Sequence, residues 1–230
     1  MFHLNITTAI IAINVVMYLV SMSNQAVLGK MLFINKRVRH FREYDRLLVS
    51  GFAHASPLHL GFNMLTLYYF GPAVEANYGA SMFLVIFLAS IVGGNLFTML
   101  THLEEPDYSA LGASGGLFGV VYAFIWMFPD ARLSLMLIPI WIPGWLFAII
   151  ITGISLLLTQ LPKAQQARIS HEGHMGGALT GGLMALALYR PEFLHNELYY
   201  FIGGGLVPVA VFALIKWLAP GILYRHRRRF

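Results

Sequence analysis

The chain has 230 residues, of which 58% are hydrophobic and only 11% are charged, with a net charge of +5. A soluble domain usually carries about 25% charged residues, so this composition and the mean hydropathy of +0.68 exclude an ordinary soluble protein and indicate an integral membrane protein. The chain has no cysteine, which excludes disulfides, thiolate nucleophiles and cysteine-based metal sites.

Three apolar segments are predicted in the first half of the chain. Residues 6–22 are just long enough to span a hydrocarbon core of about 30 Å. The connection at 24–50 mixes lysine and arginine with large apolar residues, which predicts a segment lying at the membrane interface. The second and third segments run over 57–74 and 80–101, and an acidic loop at 102–109 follows.

Four further apolar segments are predicted in the second half. The fourth, 114–128, is short, so its start should lie below the membrane surface or the bilayer must thin around it. Prolines interrupt the next apolar run, which places the fifth segment at 145–159. The sixth, 174–189, is rich in glycine, and a seventh runs over 198–218. The predicted fold class is all-α, a polytopic membrane helical bundle.

The C-terminal part is expected to be separate from the rest of the bundle. Residues 1–190 form the predicted core, and 191–230 form an extra hydrophobic helix with a basic tail. The positive-inside rule places the tail inside, while the acidic loop should lie outside; four crossings between them make these two signals conflict. We expect the tail to contact lipid head groups and not nucleic acid, because no basic face extends beyond it.

Polar residues inside the apolar segments are few, and two lie in the second segment. His59 and Asn63 are four residues apart, so a helix places both on one face. Two hydrogen-bond donors on one face could stabilise negative charge developing on an oxygen. They could equally join two helices, which is a common use of these residues in membranes.

The fourth segment begins with a serine among small residues, in Gly112-Ala113-Ser114-Gly115. A lone serine in a membrane helix usually bonds to its own backbone. The glycines change this expectation, because they allow another helix backbone to approach closely.

The sixth segment carries the histidine that could meet this serine. His174 has glycine at +3 and +7, Gly177 and Gly181, so this helix can also approach closely. A histidine with a pKa near 6.5 can take a serine proton and make a nucleophile. His171 competes with it as the base.

A serine–histidine dyad is the arrangement available, because no carboxylate lies within the second, fourth or sixth segment as predicted. A metal site is the rival hypothesis. The run from His171 to His174 shares a helix face but is one residue shorter than the HExxH zinc motif. We expect neither a metal nor a cofactor.

These motifs together resemble those of the rhomboid family of intramembrane serine proteases, over residues 43–189. The family's GxSG motif matches 112–115, its HxxxN motif matches 59–63, and its histidine motif matches 173–181 with Gly173 where alanine is usual. His54 lies five residues before His59, as in many members, and 71–75 resembles the family's segment at the end of the second helix. The first-loop tryptophan–arginine signature is partly kept, with Arg46 present and Asp45 where tryptophan is usual.

The resemblance implies a six-helix core, to which the seventh segment is an addition. It implies that Ser114 is the nucleophile and His174 the general base. His59, Asn63 and the Ser114 backbone N–H would hold the oxyanion, and the ring of Phe118 would lie against the histidine. Supporting positions are Gly112, Gly115, Gly177, Gly181 and His54.

The predicted function is hydrolysis of a peptide bond of transmembrane substrates near one membrane face. The alternative is an inactive rhomboid relative that binds membrane proteins, although such relatives typically lose the serine or the histidine. A transporter or channel would need polar residues in series through the bilayer, whereas the polar residues of these segments cluster toward one end. We expect a multi-pass protein of a bacterial inner or plasma membrane, in contact with membrane lipid; the sequence carries no signal for an oligomeric state.

Overall fold

The computed structural model describes residues 5–128, 130–135, 138–158 and 168–188. Its helices are α1 Ile6–Ser23, α2 Gln25–Met31, α3 Asn35–Phe41, α4 Arg46–Val49, α5 Pro57–Tyr78, α6 Ala80–Thr101, α7 Ser114–Met127, α8 Gly144–Leu158 and α9 His171–Leu188, with a single 3-10 turn at Ser50–Phe52. Its strands are β1 Phe33–Ile34, β2 Ser109–Ala110, β3 Arg132–Leu135 and β4 Ile138–Pro143. The chain is therefore predominantly helical.

The first six predicted segments each overlap a helix, namely α1 and α5 to α9. The predicted start of the sixth is wrong, because α9 begins at His171, three residues earlier than expected. Glu172 therefore lies inside this helix, but its carboxylate is 3.3 Å from Nε2 of His102. The predicted seventh segment and the basic tail lie outside the described residues, and the division into 1–190 and 191–230 stays a prediction.

Two short antiparallel ribbons depart from the all-helical expectation. β1 pairs with β2, and β3 pairs with β4 immediately before α8. Strands β1 and β2 have two residues each, which is too short for the alternation of polar and apolar residues that reveals a strand in a sequence.

The connection predicted to lie at the membrane interface is folded back onto the bundle. Arg46 is only 5% exposed, and its Nη1 donates to the carbonyl oxygens of Gly29 at 2.9 Å and Leu32 at 2.7 Å. The Asn35 side chain, fully buried, donates to the carbonyl oxygens of His102 and Glu105 beyond the end of α6. These bonds satisfy backbone groups that would otherwise be buried without partners.

Within the described part, two helices are long and apolar enough to cross a membrane by themselves. These are α1 and α6, with mean hydropathies of 1.9 and 2.2. Helices α7 and α8 are shorter apolar helices. With 14 residues, α7 is about 21 Å long at about 1.5 Å per residue, which is less than a hydrocarbon core of about 30 Å.

Helix α9 packs against α6 through glycines. A Cβ atom at Gly94 would stand 2.6 Å from the carbonyl oxygen of Gly173, and one at Gly176 would stand 2.8 Å from that of Gly93. Real Cβ atoms do not approach so closely, so these two helices touch backbone to backbone.

The N-terminus of α9 is capped by Ser170. Its Oγ accepts from the Gly173 N–H at 3.0 Å and lies 2.7 Å from Oγ1 of Thr98.

A carboxylate from α5 caps the start of α1. Glu75 accepts from the N–H groups of Ile6 at 2.8 Å and Thr7 at 2.9 Å, and from the Thr7 hydroxyl at 2.7 Å. The first N–H groups of a helix have no partner within it, and the helix dipole favours negative charge there. The contact therefore joins the ends of two helices that are far apart in sequence.

We expect Glu75→Gln to lower the free energy of unfolding in detergent by about 1–3 kcal/mol. The substitution removes the negative charge and replaces one of the two accepting oxygens with an NH2 group, which can only donate. Thermal unfolding followed by circular dichroism measures the loss. Asn77→Ala on the same helix is the control, since that exposed side chain donates to the Ala73 carbonyl oxygen of its own helix. Equal melting temperatures for the two variants would show that the cap contributes nothing.

Candidate active site

Ser114 lies at the first position of α7, directly after a backbone turn that only glycine adopts readily. Gly112 has a φ of +119°, and its N–H donates to the Ser50 carbonyl oxygen at 2.9 Å. A Cβ at this position would stand 2.7 Å from Cε1 of His59. Gly112 therefore serves both the turn and the close approach of α5, and it brings the half-buried serine to the top of α7.

The structure brings Ser114 and His174 together across two helices. Nε2 of His174 is 2.7 Å from Oγ of Ser114. The Phe118 ring, one turn further along α7, stacks on the His174 imidazole with centroids 4.4 Å apart and planes 11° apart. His174 is 8% exposed, so stacking on one face and the hydrogen bond at one edge restrict its ring orientation.

The close approach of α7 and α9 depends on the glycines that the sequence singled out. A Cβ at Gly177 would overlap the carbonyl oxygen of Gly115, and a Cβ at Gly181 would overlap the backbone of Gly119. No other residue type fits at these contacts without moving a backbone. The separation of the two backbones that carry the serine and the histidine is thus set by contacts between main-chain atoms.

A second serine, which the sequence did not single out, lies on the other side of His174. Ser155 on α8 is 3% exposed, and its Oγ is 2.8 Å from Nδ1 of His174 and 3.2 Å from Nδ1 of His171. His171 thus faces Ser155 and the edge of the His174 ring, with ring centroids 5.1 Å apart. His171 is hydrogen-bonded to Ser155, whereas Ser114 is hydrogen-bonded to His174.

His59 and Asn63 lie on the face of α5 that meets the glycine turn. Nδ2 of Asn63 would be 3.7 Å from a Cβ at Gly112. The same amide donates to Nε2 of His54 at 2.9 Å. Both side chains therefore lie beside the turn that leads to Ser114, and the amide has a second N–H with which to donate.

His54 holds the Asn63 amide from the loop before α5. Burial, and secondly the neighbouring His59 ring, lowers the pKa of His54 to about 3. The imidazole is therefore neutral at physiological pH and its Nε2 can accept the hydrogen bond. The imidazole rings of His54 and His59 meet edge to face, with centroids 5.1 Å apart.

A small cavity borders Ser114 and is also lined by Gly173. Its polar lining includes Asn95 and Ser170, together with the backbone around Gly112. This provides a polar space beside the serine.

Among the residues that the structure describes, no three histidine, aspartate or glutamate side chains are grouped to hold a metal ion.

The fold and the site define a helical membrane protein in which a half-buried serine is hydrogen-bonded to a histidine of a neighbouring helix. The family model described as the Rhomboid domain matches residues 42–191. The chain belongs to the rhomboid family, which is embedded in membranes and includes intramembrane serine proteases. The resemblance read from the motifs is confirmed.

Three curated relatives illustrate this similarity. "Rhomboid protein 1, mitochondrial" of Saccharomyces cerevisiae is 32% identical over 141 residues, 60% of this chain and 40% of that protein. "RHOMBOID-like protein 12, mitochondrial" of Arabidopsis thaliana is 29% identical over 164 residues, 64% of this chain and 47% of that protein. "Rhomboid protease GluP" of Bacillus subtilis is 31% identical over 150 residues, 65% of this chain and 27% of that protein.

The chain thus spans less than half the length of each of these relatives. Two of them carry "mitochondrial" in their names, and one comes from a bacterium. They support a membrane-embedded protein but do not support the specific expectation of a bacterial plasma membrane.

Proposed function

We propose that the chain is a serine endopeptidase that cleaves transmembrane proteins within the membrane. The observation that carries the proposal is the 2.7 Å contact between Oγ of Ser114 on α7 and Nε2 of His174 on α9. A serine hydroxyl is a weak nucleophile unless an adjacent base takes its proton. Membership of a family that includes proteases supports the same activity.

In the first step, Oγ of Ser114 attacks the carbonyl carbon of the scissile bond while its proton passes to Nε2 of His174. The carbonyl oxygen becomes an oxyanion. The Ser114 N–H at the start of α7 is one donor for it, and His59 and Asn63, which meet the adjoining glycine turn, supply others. Fixed donors of this kind stabilise the developing charge.

In the second step, His174 returns its proton to the nitrogen of the leaving segment, and an acyl-enzyme ester on Ser114 remains. Water then attacks the ester carbonyl and gives a proton to Nε2 of His174, which passes it to Oγ of Ser114 as the ester bond breaks and the acid product leaves. The polar cavity beside Ser114 is a suitable place for that water. All the residues given these roles lie within the predicted core of 1–190.

The substrate must lose helical structure at the cleavage site. A peptide carbonyl in a helix accepts an i+4 hydrogen bond and is hidden from attack. Small residues and helix breakers near the cleaved bond would favour local unwinding. We therefore expect transmembrane segments with such residues to be the preferred substrates, with membrane lipid around the enzyme.

The proposal is tested with the full chain in proteoliposomes, a transmembrane substrate and a fluorophosphonate probe. We expect cleavage and covalent labelling of Ser114, located by mass spectrometry, and no effect of a metal chelator. Labelling at another serine, or cleavage that a chelator abolishes, would contradict the mechanism. Binding of the substrate without cleavage would indicate the alternative, an inactive rhomboid relative that holds membrane proteins.

We expect Asn63→Ala to reduce kcat by about 10²- to 10³-fold with little change in KM, because a donor to the oxyanion acts mainly in the transition state. Steady-state cleavage in proteoliposomes measures both constants. Asn77→Ala removes the same group from an exposed position of the same helix and should cleave like the wild type. A raised KM with unchanged kcat would assign Asn63 to substrate binding instead.

A further inference from the structure

Ser155 occupies the position next to His174 that is opposite to Ser114. The His174 ring lies between two serine hydroxyls, with Nε2 at 2.7 Å from Ser114 Oγ and Nδ1 at 2.8 Å from Ser155 Oγ. Ser155 lies on α8 and is 3% exposed, so water does not compete freely for its hydroxyl. Its sequence separation of 19 residues from His174 means that tertiary packing makes the contact.

The required role of His174 determines the direction of these hydrogen bonds. To accept the proton of Ser114, Nε2 must be unprotonated, so the ring proton of the neutral imidazole must be on Nδ1. A proton on Nδ1 requires an acceptor at 2.8 Å, and a hydroxyl oxygen is one. In the opposite tautomer, Nε2–H would point at Ser114 and could not act as a base.

We infer that Ser155 is a positioning residue, which accepts from Nδ1–H of His174 and thereby holds this histidine in the tautomer able to deprotonate Ser114. The inference rests on the proposed function, since it concerns the same base. Ser155 takes the place that a carboxylate has in a catalytic triad. Because a hydroxyl is neutral, it orients the ring without adding a charge.

His171 completes the arrangement. Once Ser155 accepts from His174, its own O–H is free to donate, and Nδ1 of His171 lies 3.2 Å away. The proton of His171 is then on Nε2, an atom that is buried and has no hydrogen-bond partner among the described residues. All donors along the series then point one way: from Ser114 to His174, from His174 to Ser155, and from Ser155 to His171.

This arrangement separates the roles of the two histidines, which the sequence left as competitors. His174 contacts the nucleophile, whereas His171 accepts from Ser155 and acts only through it. We expect His171→Ala to lower kcat less than Ser155→Ala does. In His171→Ala, the Ser155 hydroxyl loses its acceptor but still accepts from His174. In Ser155→Ala, no hydroxyl remains to accept from His174.

The first measurement is the ¹⁵N NMR spectrum of the His174 imidazole in the wild-type full chain in proteoliposomes. We expect the neutral ring to carry its proton on Nδ1. A proton on Nε2 would overturn the inference without any variant. In Ser155→Ala, we expect the population with the proton on Nε2 to rise.

The second measurement is the cleavage rate of Ser155→Ala, for which we expect a fall in kcat of about 10- to 100-fold with KM unchanged, the loss typical of removing a group that orients a metal-bound histidine. Ser155→Thr keeps the hydroxyl and should restore most of the rate. Thr152→Val is the matched control, because it removes a buried hydroxyl one turn earlier that bonds to Tyr122 and not to His174.

These outcomes separate the two proposals. If Ser114→Ala is inactive while Ser155→Ala and Thr152→Val cleave alike, the inference about Ser155 is wrong and the proposed function stands. If Ser114→Ala still cleaves, the proposed function is wrong. Thermal unfolding of each variant identifies loss of folding, and the wild-type tautomer decides the question if Ser155→Ala fails to fold.

Discussion

Replacing Ser114 with alanine is expected to reduce kcat/KM for a transmembrane substrate by about 10⁴- to 10⁶-fold, because the nucleophile is lost and the remaining donors can only assist attack by water. The fold should be retained, since Ser114 is half-buried and its side chain bonds to His174 rather than capping a helix. Time courses of cleavage in proteoliposomes measure the rate, and unfolding curves check the fold.

The companion variants show whether Ser114 and His174 act as one unit. His174→Ala should lose a similar factor, and the double variant should be no slower than either single one, because groups that share a step are not additive. Ser23→Ala is the control, because this exposed serine donates to the Val20 carbonyl oxygen of its own helix. If the reduction in kcat/KM of the double variant equalled the product of the two single reductions, the two side chains would act in different steps.

Replacing Gly177 with alanine is expected to affect both stability and activity. The new Cβ would overlap the Gly115 carbonyl oxygen, which is backbone and cannot rotate away. Helices α7 and α9 must then separate, and overpacking of this kind costs about 1–3 kcal/mol of unfolding free energy. A displacement of about 1 Å between the reacting groups can cost about 10²-fold in rate.

Gly153→Ala on α8 is the matched control for this change. No described atom lies within 4 Å of a Cβ at Gly153, so the same substitution meets no obstacle there. It should leave the melting temperature equal or higher, because alanine favours a helix by about 1 kcal/mol over glycine. If both variants melt and cleave alike, the contact at Gly177 does not set the helix separation.

The positions of the long helices follow from the sequence because burial in a membrane leaves a simple signal, an apolar run bounded by polar residues. The predicted start of α7 at Ser114 agrees with the structure for this reason. The fold of 24–50 could not be predicted in the same way. Its course depends on Arg46 and Asn35, whose partners are carbonyl oxygens of other segments and leave no periodic pattern.

The candidate site, too, can be predicted only in part from the sequence. Ser114 and His174 are found because glycine motifs surround them, and those glycines make the contacts between α7 and α9. Ser155 stands in an ordinary apolar helix, where a serine most often bonds to its own backbone. No local signal distinguishes it, since its function depends on a tertiary contact with α9. Glu172 illustrates the converse: α9 begins three residues before the predicted start and therefore contains this carboxylate.

The backbone contact between α7 and α9 has a consequence for the entropy of catalysis. Main-chain atoms in a helix have no rotamers, so the separation of the two backbones that carry Ser114 and His174 is set when the chain folds and not when a substrate binds. In the proposed mechanism, this part of the ordering of the reacting groups is then complete before a substrate binds.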